Sequence, residues 1–405
     1  MKHFKGTSEK RHHLAVLGNA PMFDITVPIT SPTIPPVENI MRSYKKIFKS
    51  GMLTNFKYVE AFEESVKNYT GAKYAVATNS CMNGMMLILK ILGLKGEIIM
   101  PSFTFHATAH AAAWNGLELV FVDCDPETYN IDPVKVEAAI TKKTSAILGV
   151  HLFGNPADIE SLEKIAKKHG LKLIFDAAHG FGTIYHGKKI GSFGNAESFS
   201  LSPTKLLTSG EGGMVTTNDA DLAKKLRTGR NYGDPGNYDS EFSGFNARMS
   251  ELHAALGIES IKALEKNVVR RNKMVELYKK FLSKIPGISF QKIESGNRSS
   301  YKDFSIYIDE SAFGLSRDHV CEALGKENII TKKYFYPPVH VQKAFQFYPK
   351  RDTGLKITCM VSENSLSLPL FSHIPEKTIK KICNAVLALH EHADEVKKSL
   401  SKNFM

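Results

Sequence analysis

Phe175-Asp176-Ala177-Ala178-His179-Gly180, then Ser198-Phe199-Ser200-Leu201-Ser202-Pro203-Thr204-Lys205, then Gly210-Glu211-Gly212-Gly213: these three segments organise the reading of the whole chain. The apolar run over 171–175 delivers Asp176 to the C-terminal end of a strand, the edge at which open parallel sheets bind ligands. Lys205 follows a second strand pattern, over 197–200, in a short polar loop. Both side chains are therefore expected to face one crevice.

Outward from this centre, residues 50 to 265 alternate helix-period segments with short apolar runs, as in a mainly parallel sheet covered by helices. Further strands are expected at 74–78, 97–100, 119–122, 145–150 and 214–217. Val59, Phe62, Val66 and Tyr69 recur at helical spacing before Gly71, a helix follows over 83–93, and others start near Asp132, Asp158 and Asp219, with Pro133 suited to a first helical position. A long helical stretch runs from Ser250 towards Lys284 and carries a domain boundary near 265. Three units follow: an N-terminal arm over 1–49, extended because of Pro28, Pro32, Pro35 and Pro36; a large domain over 50–265; and a smaller α/β domain over 266–405. The last holds a strand at 304–308, a helix from Arg317 to Gly325 and a final helix from Glu376 to about Lys398.

The chain has 405 residues, 42% of them apolar and 23% charged, which excludes a small stapled module and a disordered chain. Its net charge of +12 favours anionic partners without choosing among nucleic acid, lipid and phosphorylated metabolites. Five cysteines with no C-x-x-C pair give no disulfide framework and no metal site. The apolar stretch Leu14 to Leu17 is too short for a signal peptide and no run approaches a membrane span, so a cytoplasmic enzyme with no membrane partner is expected.

A lysine placed like Lys205 can hold an aldehyde covalently, and a carboxylate placed like Asp176 can keep a pyridine nitrogen protonated, which is the pairing that pyridoxal phosphate chemistry requires. Each unit by which the carboxylate raises the ring pKa is worth about 1.4 kcal/mol. Once an incoming amine displaces it, the lysine becomes a free base able to carry a proton.

The ordered motifs Ser50-Gly51-Met52-Leu53-Thr54-Asn55, Pro101-Ser102-Phe103-Thr104-Phe105, Phe121-Val122-Asp123, His151-Leu152-Phe153-Gly154, the Asp176 and Lys205 segments, Gly244 to Glu251, Tyr336-Pro337-Pro338-Val339-His340 and Leu366-Ser367-Leu368-Pro369 resemble the DegT, DnrJ and StrS family of sugar aminotransferases. The resemblance implies a fold type I pyridoxal phosphate aminotransferase, with a mostly parallel seven-stranded sheet in the large domain. It makes Lys205 the covalent lysine, Asp176 the partner of the ring nitrogen, Phe105 the ring-stacking aromatic, His179 the neighbour of the phenolic oxygen and Ser200 a phosphate contact. Ser80, Cys81 and Met82 form the turn into a helix whose N–H groups would cradle the phosphate, although most members have Gly-Thr at the last two positions. Ser80 is either a phosphate contact or an ordinary helix cap. Asn246 and Arg248 fall in a loop that reaches the partner subunit's site, with Asn246 on the phosphate and Arg248 on the substrate, so a homodimer is implied. Tyr336 and His340 match a loop that approaches the sugar.

The implied reaction moves an amino group from glutamate to C4 of a nucleotide-linked 4-keto-6-deoxyhexose, the dTDP-glucose form, because Arg248-Met249-Ser250-Glu251 follows the C4-acting members; C3-acting relatives tend to Arg-Leu-Asp-Glu. The product would be a 4-amino-4,6-dideoxy sugar for surface polysaccharide or glycoside biosynthesis. A C3-acting enzyme is the alternative within the family, while Lys205 argues against its dehydratases, which carry His there. A basic nucleic-acid-binding protein is the alternative outside it, motivated by +12 and by the runs Lys10 to His13 and Arg270 to Lys273, but those charges are not interleaved with aromatics. A dinucleotide oxidoreductase would need a Gly-x-Gly-x-x-Gly after an early strand, and none occurs.

Overall fold

The computed structural model describes residues 14–351 and 354–402, so the basic run Lys10 to His13 lies outside the described residues. The first part of the chain forms α1 (Val37–Ser50), α2 (Lys57–Thr70), β1 (Tyr74–Thr78), α3 (Cys81–Ile91), β2 (Glu97–Pro101), α4 (His106–Trp114) and β3 (Glu118–Val122). It continues through α5 (Pro133–Ala139), β4 (Thr144–Val150), α6 (Ile159–His169), β5 (Lys172–Asp176), the small hairpin β6 (Ile184–Tyr185) and β7 (Lys188–Lys189), β8 (Ala196–Ser200), β9 (Gly213–Thr217) and α7 (Ala220–Gly229). Local chemistry sets many of these starts. Asp132 accepts from Val134 N–H at 2.8 Å ahead of Pro133, and Asp158 and Asp219 cap α6 and α7 in the same way.

Seven strands form one sheet in the order β1-β9-β8-β5-β4-β2-β3, with β9 alone antiparallel to its neighbours. Strands covered on both faces must be apolar at successive positions, and side-chain alternation then assigns each residue to a layer. Ile99, Val120, Ile147, Leu173 and Phe175 pack with α2 and α6, whereas Ile98, Met100, Leu119, Phe121 and Ile174 pack with α3, α4 and α7. This confirms the α/β architecture and all seven expected strands of the large domain.

The remaining elements are α8 (Glu251–Ile261), α9 (Leu264–Leu282), β10 (Ile288–Phe290), β11 (Phe304–Ile308), α10 (Glu310–Phe313), α11 (Arg317–Lys326), α12 (Lys356–Asn364), β12 (Ser365–Leu368), α13 (Glu376–Glu391) and α14 (Ala393–Lys402). Strands β10, β11 and β12 form a second sheet. Leu264 and Val268 of α9 belong to the core of the large sheet, while Met274, Val275, Tyr278 and Leu282 belong to the core around the second sheet, so we propose that the domain boundary falls within α9, close to the expected 265.

Three expectations need correction. The arm is not extended to residue 49: α1 begins directly after Pro36, because the prolines constrain only their own positions, and Ile40 and Ile47 recur on a face that packs on α8. The long stretch from 251 breaks at Lys262 and Ala263 into α8 and α9, since α8 lies against α2 and the chain must then turn to reach the second sheet. The final helix breaks at His392 for a similar reason, with Val396 and Leu400 of α14 folding back onto the same core.

Candidate active site

Asp176 is the last residue of β5 and Ser200 the last of β8, and Lys205 follows in the loop beyond β8. Ser80 caps α3, accepting Asn83 N–H at 3.1 Å, and Phe105 immediately precedes α4. All of them line one cavity of about 360 Å³, together with Cys81, Met82 and His179. Asn246, Arg248, Tyr336 and His340 do not line it.

The Asp176 carboxylate is 5% exposed and held from two sides. The Thr108 hydroxyl donates to Oδ2 at 2.7 Å and Ala178 N–H to Oδ1 at 3.0 Å. Cys81 Sγ lies 3.3 Å from the Ser198 carbonyl oxygen and 3.9 Å from Asp176 Oδ1, and burial pushes its thiol well above its ordinary pKa. A carboxylate accepts about four hydrogen bonds, so Asp176 retains capacity for one more donor from the cavity. The Lys205 amine is lowered from 10.5 to about 8, first by burial and then by Lys302, with Asp303, Cys81 and Asp176 opposing. About a tenth of it is thus the free amine at pH 7, several hundred times the fraction of an ordinary lysine, and the free amine is the form able to act as a nucleophile. His179 accepts Phe153 N–H on Nδ1 at 3.2 Å, which places its proton on Nε2; burial, Lys205 and Lys302 hold the ring neutral.

These groups fit pyridoxal phosphate. The first N–H groups of α3 have no partner inside the helix, and the hydroxyls of Ser80, Ser200, Ser202 and Thr204 surround the same end of the cavity. Gly213 makes this cradle possible, because a Cβ there would lie 2.3 Å from the Ser80 carbonyl carbon and 2.5 Å from Cys81 N. Gly213→Ala is expected to weaken cofactor retention at least about tenfold by displacing this turn, an overpacking cost of ~1–3 kcal/mol. Cofactor absorbance after gel filtration measures it, and full retention would show that the cradle tolerates the methyl group.

Beyond the expected residues, Thr108, Ser202, Thr204, Lys302, Asp303, Tyr334 and Phe335 complete the site. Thr108 could have been found by helical spacing, three residues after Phe105. His340 is buried, with Nδ1 2.6 Å from Ser102 Oγ, so it ties its loop to the end of β2. Its imidazole is lowered to about 4 by burial and Lys350. Tyr336 borders a neighbouring cavity of about 460 Å³ that shares Phe105, Tyr334 and Phe335 with the first. Asn246 is exposed and Arg248 donates to Asn231 Oδ1 at 2.7 Å. Glu251 accepts N–H bonds from Phe56, Tyr58 and Val59 at 2.8, 2.8 and 3.0 Å, capping α2 rather than meeting a ligand.

The sequence profile of the DegT/DnrJ/EryC1/StrS aminotransferase family matches residues 36–387. The chain is 34% identical over 369 residues to the dTDP-4-amino-4,6-dideoxy-D-glucose transaminase of Escherichia coli, covering 90% of this chain and 99% of that protein. It is also 34% identical to the dTDP-3-amino-3,6-dideoxy-alpha-D-galactopyranose transaminase of Aneurinibacillus thermoaerophilus, covering 86% of this chain and 94% of that one. Among solved structures, DesI in the presence of its TDP-sugar product superposes with a TM-score of 0.90 at 35% identity, over 97% of this chain and 99% of that chain.

Proposed function

From the premise that the chain belongs to the DegT/DnrJ/EryC1/StrS aminotransferase family, and is a sugar aminotransferase that works with pyridoxal phosphate, we propose that it transfers an amino group from glutamate to C4 of a nucleotide-linked 4-keto-6-deoxyhexose, the dTDP-glucose form. The observation that carries the reading is the single cavity in which Lys205 and Asp176 meet beside a helix N-terminus, next to a second cavity bordered by Lys332 and Tyr336. The first suits the cofactor and the second an anionic, ring-bearing substrate.

Bound pyridoxal phosphate supplies the electron sink for the carbon that exchanges its amine. Asp176 would hold the ring nitrogen, Nε2–H of His179 would donate to the phenolic oxygen, and Ser80 and Ser200 would bind the phosphate. Phe105, half exposed at the rim, would cover the ring face. Lys205 carries the proton that sets the new stereocentre, and the neutral state of His179 keeps a competing cation away from it.

The ring position rests on kinship. Arg248-Met249-Ser250-Glu251 follows the C4-acting pattern, yet Met249 is a core residue, Ser250 caps α8 by accepting His253 N–H at 3.2 Å, and Glu251 caps α2. The segment therefore marks lineage rather than contact, and C3 amination is the second reading, supported by the Aneurinibacillus relative. We propose a homodimer as the functional unit. Val37, Met41, Phe48, Met52 and Leu53 leave an apolar strip exposed on α1 and the turn after it, and Asn246 stands outside the cavity of its own chain.

Incubation with glutamate and a panel of 3-keto and 4-keto nucleotide sugars, with products identified by NMR, is expected to give a 4-amino product. Exclusive use of 3-keto sugars would replace C4 by C3 and leave the aminotransferase intact.

A further inference from the structure

Lys302 and Asp303 line the cavity beside Lys205 and are 4% and 6% exposed. Lys302 Nζ donates to Asp303 Oδ1 at 2.8 Å and lies 5.8 Å from the centre of the Tyr334 ring, with no second hydrogen-bond acceptor among the described residues, so it keeps donor capacity for a ligand. Behind them Arg271, 1% exposed, donates only to neutral groups: Ser372 Oγ at 3.2 Å and the carbonyls of Tyr301 and Lys302 at 3.2 and 3.0 Å. Burial lowers Arg271 to about 10, so it stays protonated at neutral pH. This wall therefore holds two cations and one anion. A buried excess of one positive charge is costly unless an anion meets it.

The wall is also rigid. Lys302 N–H donates to the Phe153 carbonyl at 2.9 Å and Ser300 N–H to that of Gly154 at 3.2 Å, so the His151 to Gly154 motif clamps this segment against the large sheet. Lys205 and Lys302 line one small recess together with His179 and Ser200. His179 is neutral and Lys333 is paired with Asp318 at 2.7 Å, so neither competes with Lys302 for an anion beside Lys205.

We infer that Lys302 is the anchor for the α-carboxylate of the amino-acid donor, with Asp303 its counter-ion while no donor is bound. The inference rests on the aminotransferase reading above. The α-carboxylate is attached to the carbon that gives up the amine, so a donor held by Lys302 presents that carbon to Lys205. A nucleotide sugar has no carboxylate to place there and should lose less than the amino-acid donor when Lys302 is removed.

Lys302→Met is expected to raise KM for glutamate about 30-fold or more, the scale of losing a buried charge-assisted contact, and to lower kcat/KM for the glutamate half-reaction at least about tenfold more than for the sugar half-reaction, which shares only the effect of Lys302 on Lys205. Calorimetric titration with 2-oxoglutarate should show a similar loss of affinity. Asp303→Asn removes the competing anion and should lower KM for glutamate. Should Lys302→Met fail to fold, the double variant Lys302→Met, Asp303→Asn removes the pair as a neutral unit and should still show the raised KM. An unchanged KM for glutamate, or equal loss in both half-reactions, overturns the anchor and leaves the enzyme's identity untouched. A wild-type protein that accepts no amino group from any amino acid overturns the donor reading and the anchor together.

Discussion

Lys205→Ala is expected to abolish amino transfer, by at least about 10⁴-fold, since it removes a nucleophile and a proton carrier at once. Among the residues lining the cavity, Lys302 is the other amine, and it is committed to Asp303 at 2.8 Å. Lys205→Arg should fail equally, because a guanidinium stays protonated and does not condense with an aldehyde. Borohydride reduction followed by peptide mapping should place the label on Lys205; a label elsewhere refutes the assignment. The same amine carries a pH signature. Because its folded pKa is lowered to about 8, its free fraction in cofactor-free protein grows as pH rises through 8 and is nearly complete before 10.5, where an ordinary lysine would only be half deprotonated. Covalent uptake of pyridoxal phosphate, followed by absorbance, should track that midpoint, and a midpoint near 10.5 would show that burial does not activate Lys205.

Asp176→Asn is the second large effect, an expected loss of about 10²–10³-fold in kcat, the scale of removing one group aimed at developing charge. The amide keeps an acceptor for Thr108 or for Ala178 N–H, which donate at 2.7 and 3.0 Å in the native site, so the fold should survive. Asp176→Ala leaves both donors without a partner and should cost a further ~1–3 kcal/mol of stability for each buried group. Thermal melts separate the two variants, and an Asp176→Asn protein with wild-type kcat would remove Asp176 from the chemistry.

Much of this molecule can be read along the chain. The strands of the large sheet announce themselves because a strand covered on both faces must be apolar at successive positions, as in Ile98-Ile99-Met100 or Leu173-Ile174-Phe175. Asp176, Ser200 and Lys205 could be assigned to one crevice because strands that run parallel in one sheet end on the same edge. Helix α1 is equally legible in the spacing of Ile40, Tyr44 and Ile47, which the prolines before it, fixing only their own positions, do not interrupt.

Other parts depend on contacts between distant segments. His340 and Glu251 have the polar character of ligand-binding residues, yet one is bonded to Ser102, 238 positions away, and the other caps a helix that begins nearly 200 positions earlier. Nothing in the local sequence marks Lys302 and Asp303 as cavity residues; bonds from Arg271 to the Lys302 carbonyl and from Lys302 N–H to the Phe153 carbonyl fix them in the cavity wall. Periodicity reports which face of a strand or helix is buried, because that face is set by the 2.0 and 3.6 residue repeats of the backbone itself. It does not report which loop another segment packs against, because that follows from strand order and from the turn between α8 and α9, properties that belong to the assembled sheet and leave no local mark on the residues that meet across it.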